Sequence, residues 1–510
     1  MVLFAGEARQ VAQAIAALCF ENPYVASYVD LQRLALGQSY REPSPGDGTS
    51  ATAANAAGLA ERAEQLLETA RSHLADGATG DPADLQLYEG LVRYHLFGRL
   101  SELLEVLAQA TAVGGLTRRR VSSYRLFEQE AERLLRLPGQ AFSLATELPH
   151  LFAMMFQQRR ARYLLDAEIV GHARVVSELR ANLWASLFTH DLRRYGESLF
   201  DHMDSLPTLL GGPDCALRSR AARVLALGRY IPFDAQELRF THEPGAAYRA
   251  LDPTALASAS LEGALFGGDG IAGEPGGLLG AVGERGAAFV DSLHALSRPC
   301  QIRLLGALDE HPRLGSPLGA ESDGAPSSFA GKLIAGTSCD LLVEMREGRF
   351  AEALYYAVSA DTVEVPSLAL QLRQRPEDLR LHLGWMLDRL VPGSERARAL
   401  AEVESLVERE LGQRYPWPGN LFELRRCVRS VLVRGTYRPP RPAPRVHAGI
   451  VGTLSRRFAD GDFNADGLLD AYCTLMYRQT GSYQEAARRL GLDRRTVKSR
   501  VDATLLAELS

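Results

Sequence analysis

Apolar residues recur at three- and four-residue steps through the first third of the chain, which predicts an all-helical region over residues 1–172. Val11, Ile15 and Leu18 give the first amphipathic helix, and the same spacing returns over Leu59 to Leu74, Leu85 to Leu107 and Ser122 to Leu137. Between them the polar stretch Arg41 to Gly58, rich in Gly, Pro, Ser, Thr and Ala, reads as a linker or mobile loop. From Ala173 the texture changes. Short apolar runs alternate with helical patterns, the layout of a parallel sheet covered by helices. Candidate strands are Thr208-Leu209-Leu210, the run Ala287 to Val290 ending at Asp291, and Lys332 to Ala335. The pattern is helical again from Arg373 to Arg434, as in a small lid. A stiff proline- and arginine-rich linker, Tyr437 to Arg445, then leads into a compact helical segment, Gly449 to Ser510.

Composition narrows this picture. The chain has 510 residues, 46% hydrophobic and 23% charged, with room for several cores. The net charge of -5 gives no global attraction to nucleic acid or membrane, so any basic surface is local. Six scattered cysteines without a CxxC pair suggest neither a zinc site nor a disulfide framework, which fits a reducing cytoplasm. The apolar run Val11 to Phe20 is too short to span a bilayer and lacks a small-residue cleavage site. No membrane partner is expected. The basic spots Arg118 to Arg120 and Arg159-Arg160 read as solvated helix faces.

Four segments carry candidate chemistry. Ser482 to Val501 has the layout of a helix-turn-helix: Ala487 permits close crossing, Gly491 takes the turn and Asp493 caps the second helix. That helix would offer Arg494, Arg495, Thr496, Lys498 and Arg500 to phosphates and guanine edges of double-stranded DNA, the competing reading being a plain helical hairpin with a charged face. After the strand at Thr208, the segment Gly212 to Ser219 has the spacing of a phosphate loop, GxxxxGK[ST], but Leu217 stands for the second glycine and Arg218 for the lysine. Gly268 to Gly273 is a literal GxGxxG without the helix that a dinucleotide site needs, so it reads as a loop. Asp462 to Asp470 imitates a calcium loop but puts Cys473 at the twelfth position, so a capped helix start at Leu468 is the better reading.

In this order the pieces resemble the sigma-54-dependent transcriptional activators, bacterial enhancer-binding proteins of the AAA+ class, over roughly Ala173 to Leu506. The landmarks are Leu265-Phe266-Gly267, Gly286 to Asp291, Lys332 to Leu341, Gly348-Arg349-Phe350 with Tyr355-Tyr356, Tyr415 to Leu424, and the Fis-type terminal helices. The resemblance implies an α/β AAA+ core, a parallel sheet flanked by helices with a helical lid, preceded by an all-α N-terminal region and followed by an all-α helix-turn-helix domain. The implied boundaries are 1–172, 173–370 for the α/β part, 371–436 for the lid, 437–449 for the linker and 450–510 for the last domain.

The departures fall on the chemistry. The resemblance places nucleotide contacts at Gly212, Arg218, Ser219, Asp291 and Ser338, with Asp291 as the magnesium ligand if nucleotide binds. The family's water-activating glutamate is Ser292 here, its sensor asparagine is Ser338, its trans-acting arginines are Ala351 and Ala357, and its second-sensor arginine is Phe422. An arginine finger alone contributes about 10³ to 10⁵ in rate in related hydrolases. The sigma-gripping GAFTGA loop is also missing between Gly267 and Gly286. No catalytic residue is therefore expected, and no cofactor beyond ATP with magnesium held without hydrolysis. Three readings stay open: a DNA-binding regulator with a non-hydrolysing core, a working ATP-dependent sigma-54 activator with divergent motifs, and an interaction subunit that modulates active AAA+ relatives. Expected partners are double-stranded DNA, copies of itself or AAA+ relatives, and RNA polymerase.

Overall fold

The computed structural model describes residues 2–43, 48–78, 80–114, 116–117, 119–203, 206–213, 216–243, 245, 248–267, 277–283, 285–308, 329, 331–412, 414–439 and 464–502. Two compact units divide the chain, Met1–Tyr437 and Arg438–Ser510.

Among the described residues the first unit has seven strands: β1 Thr208–Gly211, β2 Phe233–Asp234, β3 Arg239–Phe240, β4 Tyr248–Leu251, β5 Ala287–Val290, β6 Lys332–Thr337 and β7 Asp361–Glu364. Five form one sheet in the order β4-β5-β6-β1-β7, with every pairing parallel. Every residue of β1, β5 and β6 is buried, because helices cover both faces of the central strands. Side chains alternate between the faces. Leu210, Ala287, Phe289, Ile334 and Val363 point into one core, whereas Leu209, Ala288, Val290, Leu333 and Ala335 point into another. This is the expected α/β core with helical regions before and after its sheet. The three strands read from sequence are present, β6 running on to Thr337.

The first core does not stop at the sheet. It runs from Leu3 through the N-terminal helices to Tyr437, so those helices, one sheet face and the lid bury their apolar sides together. The hairpin β2–β3 inserts Phe233 and Phe240 among Tyr124, Phe152 and Phe156, with ring centroids 4.3 to 4.8 Å apart for the closest pairs. Buried Gln157 donates to the Gly228 carbonyl at 3.1 Å, and buried Arg160 donates to that of Arg229. Asp378, from the lid, accepts the amides of His172 and Ala173 at 2.7 Å each.

Several expectations are corrected. Residues 48–58 are helical, inside Gly48–Ala75, because alanine is the strongest helix former and should not be counted with loop residues. Asn55 pairs with both backbone groups of Arg41 at 2.8 Å, fixing the entry; residues 44–47 lie outside the described part. Leu85 to Leu107 is two helices, Pro82–Arg99 and Ser101–Val113, which meet at Leu100. Arg160 is no solvated face, since helix Leu148–Glu168 is buried on nearly every side. Arg119 and Arg120 are exposed in a loop rather than on a helix, and Arg118 lies outside the described residues. The linker starts one residue late, because Tyr437 is buried with its hydroxyl on Glu423 Oε1 at 3.2 Å. Residues 440–449 are outside the described part, as is the GxGxxG at 268–273. Among the described residues no helix is long and apolar enough to cross a membrane.

The lid is Leu368–Gln374, Asp378–Leu387, Gly393–Leu406 and Asn420–Arg434. Within it, buried His382 meets Gln371 Oε1 at 3.1 Å, and burial, aided by Arg220, pulls its pKa from 6.5 down to about 3. The fold therefore binds fewer protons than the unfolded chain between those pH values, so stability falls as pH drops through that window. His382→Gln should flatten this part of the acid loss. Urea denaturation at steps from pH 7 to pH 4 should show the variant gaining on the native chain as pH falls; parallel profiles would contradict the assignment.

Candidate functional site

Strand β1 delivers the chain to Gly211 and Gly212 at the carboxyl edge of the sheet, where α/β folds bind ligands. Gly212 has φ of +122°, and a Cβ there would lie 2.3 Å from the Val365 carbonyl oxygen, so only glycine fits. Helix Ala216–Leu227 follows, and its Leu217 side chain is buried in the first core. Arg218 comes next and is 1% exposed. Its Nη1 donates to the Gly212 carbonyl at 2.6 Å, while Nε and Nη2 donate to Asp291 Oδ1 at 2.9 and 2.8 Å.

Asp291 sits just past β5, its amide donating to the Leu251 carbonyl at 2.9 Å. The Ser292 amide donates to the same Oδ1 at 2.8 Å, so that one oxygen accepts from both partners. Burial lifts the Asp291 carboxyl above its usual range, opposed by the Arg218 guanidinium and the Ser292 amide. The carboxylate also leans over β6: a Cβ on Gly336 would lie 2.3 Å from Oδ1. Gly336 is thus a residue of the site that sequence reasoning passed over, although a glycine inside a strand signals close approach by a neighbour.

The other expected positions are near but differently occupied. Ser292 is buried with left-handed backbone, φ 49° and ψ 46°, and its hydroxyl is no base near neutral pH. Ser219 is exposed on its helix and Ser338 is half-buried beyond the end of β6; neither joins the hydrogen bonds between Arg218 and Asp291. Glu364, also unforeseen, closes on Gly211, where a Cβ would meet its Oε1 at 2.2 Å. Ala351 is buried, donating its amide to Gln301 Oε1 at 2.8 Å. Phe422 is exposed with the Arg425 guanidinium 5.4 Å from its ring, and Arg425, Arg426 and Arg429 line the same groove of the lid helix. The Trp417 and Asn420 backbones are left-handed, with φ of 45° and 49°, and Asn420 accepts the Leu368 amide at 3.0 Å. That landmark secures the lid.

The second unit carries helices Ala465–Thr480, Tyr483–Leu490 and Arg494–Arg500 around Cys473, Ala486, Ala487 and Val497. Leu490, Leu492 and Val501 pack at its margin. The first helix starts at Asn464, whose side chain accepts the Gly467 amide at 2.8 Å, a cap a few residues before the one expected; Asp462 is outside the described residues. Gly491 turns with φ of +66°, and Asp493 caps the last helix by accepting the Arg495 amide at 2.7 Å. Arg494, Arg495 and Lys498 are exposed, Thr496 is half-buried, and none of the four has an ion pair among the described residues. Arg500 is committed inside the unit, to Asp466 at 3.1 Å and Asp470 at 3.0 Å.

Comparison with known proteins follows the same lines. The profile described as Sigma-54 interaction domain matches residues 239–364. The transcriptional regulatory protein ZraR of Klebsiella oxytoca is 32% identical over 268 residues, covering 49% of this chain and 56% of that protein. The anaerobic nitric oxide reductase transcription regulator NorR of Aeromonas hydrophila is 30% identical over 154 residues, covering 29% of this chain and 27% of that protein. The chain thus spans about half the length of the curated ZraR relatives it matches. Among solved structures, NtrX from Brucella abortus in complex with ATP gives a TM-score of 0.36 at 19% identity, over 71% of this chain and 76% of that one, too loose to carry an argument. The resemblance to the sigma-54-dependent regulators is borne out as homology.

Arg218 and Asp291 form a buried ion pair, and removing one partner of such a pair costs about 3–5 kcal/mol, whereas an apolar replacement of both is close to neutral. Arg218→Met and Asp291→Leu should each lower stability by about 3 kcal/mol, and the double variant should recover most of the loss. Urea denaturation of the four proteins checks this; additive losses would contradict a coupled pair.

Proposed function

We propose that the chain is a DNA-binding transcriptional regulator whose AAA+ core acts as a scaffold rather than as an ATP-hydrolysing motor. Supporting this first is the ion pair of Arg218 and Asp291, the one observation that carries the reading. A magnesium–triphosphate needs a free carboxylate for the metal and open loop amides for phosphate. Here one carboxylate oxygen, Oδ1, is taken by a guanidinium and an amide, which places a cation where the metal would sit, and the same guanidinium bonds the loop's own carbonyl at Gly212. Glu364, closing on Gly211, adds a negative charge where phosphate would approach. These residues do not suit the nucleotide. Hydrolysis would further need a base in place of Ser292 and a cation in place of Ala351, and neither side chain can serve.

Arg494 and Arg495 at the start of a capped helix and Lys498 in its last turn support DNA binding, exposed and without an ion pair among the described residues, on a helix suited to a major groove. Thr496 would add a polar contact, whereas Arg500 holds the last helix against Ala465–Thr480 instead of touching bases. The homologues' regulatory role supports a transcriptional setting, with RNA polymerase and further copies of AAA+ subunits as partners in the cytoplasm.

A gel-shift series on genomic fragments, with phosphate release measured in the same reactions, tests both halves. The native chain should retain DNA at moderate salt. The pair R494A/R495A should weaken binding at least tenfold and lower the salt slope by about 1 for each phosphate left without its cation. Arg500→Ala should destabilise the last unit more than it changes sequence preference. Phosphate release should stay at background with DNA present; release at the rate of an active AAA+ enzyme would overturn the scaffold reading, and absence of any DNA retention would overturn the other half.

A further inference from the structure

The N-terminal helices form an open cavity of about 760 Å³, lined from Ala26–Leu36, Gly48–Ala75, Pro82–Arg99 and Leu148–Glu168. That volume falls in the range of small-molecule sites. Its aromatic lining is Tyr28, Tyr94 and Phe97, and small residues such as Ala56 and Ala60 on the long helix leave the space open. The polar lining has an unusual member. Arg159 stands with its guanidinium carbon 5.2 Å from the Phe97 ring centroid, and its Nε is buried with no hydrogen-bond partner. No carboxylate lies within ion-pair distance of it among the described residues, and burial depresses its pKa. Arg159 itself is half-buried, and a guanidinium nitrogen buried without a partner is costly unless something completes it.

The surrounding charges point the same way. Arg99 and Arg162 share the lining with one acid, the exposed Glu64, while His95 is already paired with Glu130 at 3.2 Å. Arg162 is half-exposed, with Asp166 3.9 Å away, and adds positive potential without closing the space. An anion is favoured over a neutral or cationic guest, and flat aromatic walls favour a ring over an aliphatic chain. We propose that this cavity binds a small aromatic carboxylate, its carboxylate on the Arg159 guanidinium and its ring against Tyr28, Tyr94 and Phe97. The helix that carries Arg159 also carries Gln157 and Arg160, which bond the carbonyls of Gly228 and Arg229 just beyond helix Ala216–Leu227. The site therefore lies on the element that joins the N-terminal helices to the sheet.

Calorimetric titration of the full chain with benzoate tests this without reference to DNA or nucleotide, so its outcome is separate from that of the regulator reading. Saturable binding of one benzoate is expected, with benzamide and acetate at least tenfold weaker because each lacks one half of the recognition. Arg159→Gln should weaken benzoate at least tenfold. Ala56→Phe, which fills the cavity from an exposed helix face, should abolish binding even if the arginine variant folds poorly. No saturable benzoate binding at millimolar concentration, equal binding of benzamide, or full affinity in both variants would overturn the proposal.

Discussion

The whole nucleotide-like edge of this protein depends on one buried contact, the guanidinium of Arg218 against the carboxylate of Asp291. A charge this deep must be neutralised, and each residue supplies the other's counterion. Around it the backbone is arranged to fit. Gly212 offers its carbonyl, Ser292 turns left-handed to offer its amide, and Gly336 yields the space into which the carboxylate leans. An alanine at Gly336 or a shorter cation at Arg218 would leave this set incomplete. Asp291 Oδ1 thus accepts from both the guanidinium and the Ser292 amide.

Under the proposed scaffold reading, the frame outlasts the chemistry. The central strands β1, β5 and β6 are held by apolar burial on both faces, which does not depend on what occupies the sheet's carboxyl edge. The lid is fixed by Trp417, Asn420 and Glu423 through turn geometry and hydrogen bonds within the protein. The N-terminal helices share the first core with the sheet, tied through the Phe233–Phe240 hairpin and the Gln157 contact. In the proposed scaffold, giving up a phosphate site costs the fold little, because Asp291 has a cation in Arg218.

Sequence made the buried strands legible because continuous apolar runs have few other meanings. It missed β4 and β7 because they are edge strands, and Tyr248-Arg249-Ala250-Leu251 and Asp361-Thr362-Val363-Glu364 carry half-exposed polar faces that resemble loop. The helix over residues 48–58 was hidden by counting alanine with loop formers, and the burial of Arg160 by assuming that arginine faces water. At the site, motif spacing located Gly212, Arg218 and Asp291, which the fold brings together, but spacing cannot reveal that two of them bond. Nor could it reveal Gly336 or Glu364, which enter from strands distant in sequence. In the last unit the cap at Asp493 and the turn at Gly491 were legible from local rules, whereas the pairing of Arg500 with Asp466 and Asp470 needed the third helix in place.

The central claim is that an internal ion pair stands where nucleotide phosphate and metal would bind. Calorimetric titration of magnesium–ATP into the full chain addresses it most directly. The account predicts no saturable binding at millimolar nucleotide, since the Arg218 guanidinium stands against Asp291 Oδ1 and the loop carbonyl of Gly212. Saturable binding with loss of the Arg218–Asp291 coupling, or turnover of the bound nucleotide, would contradict it.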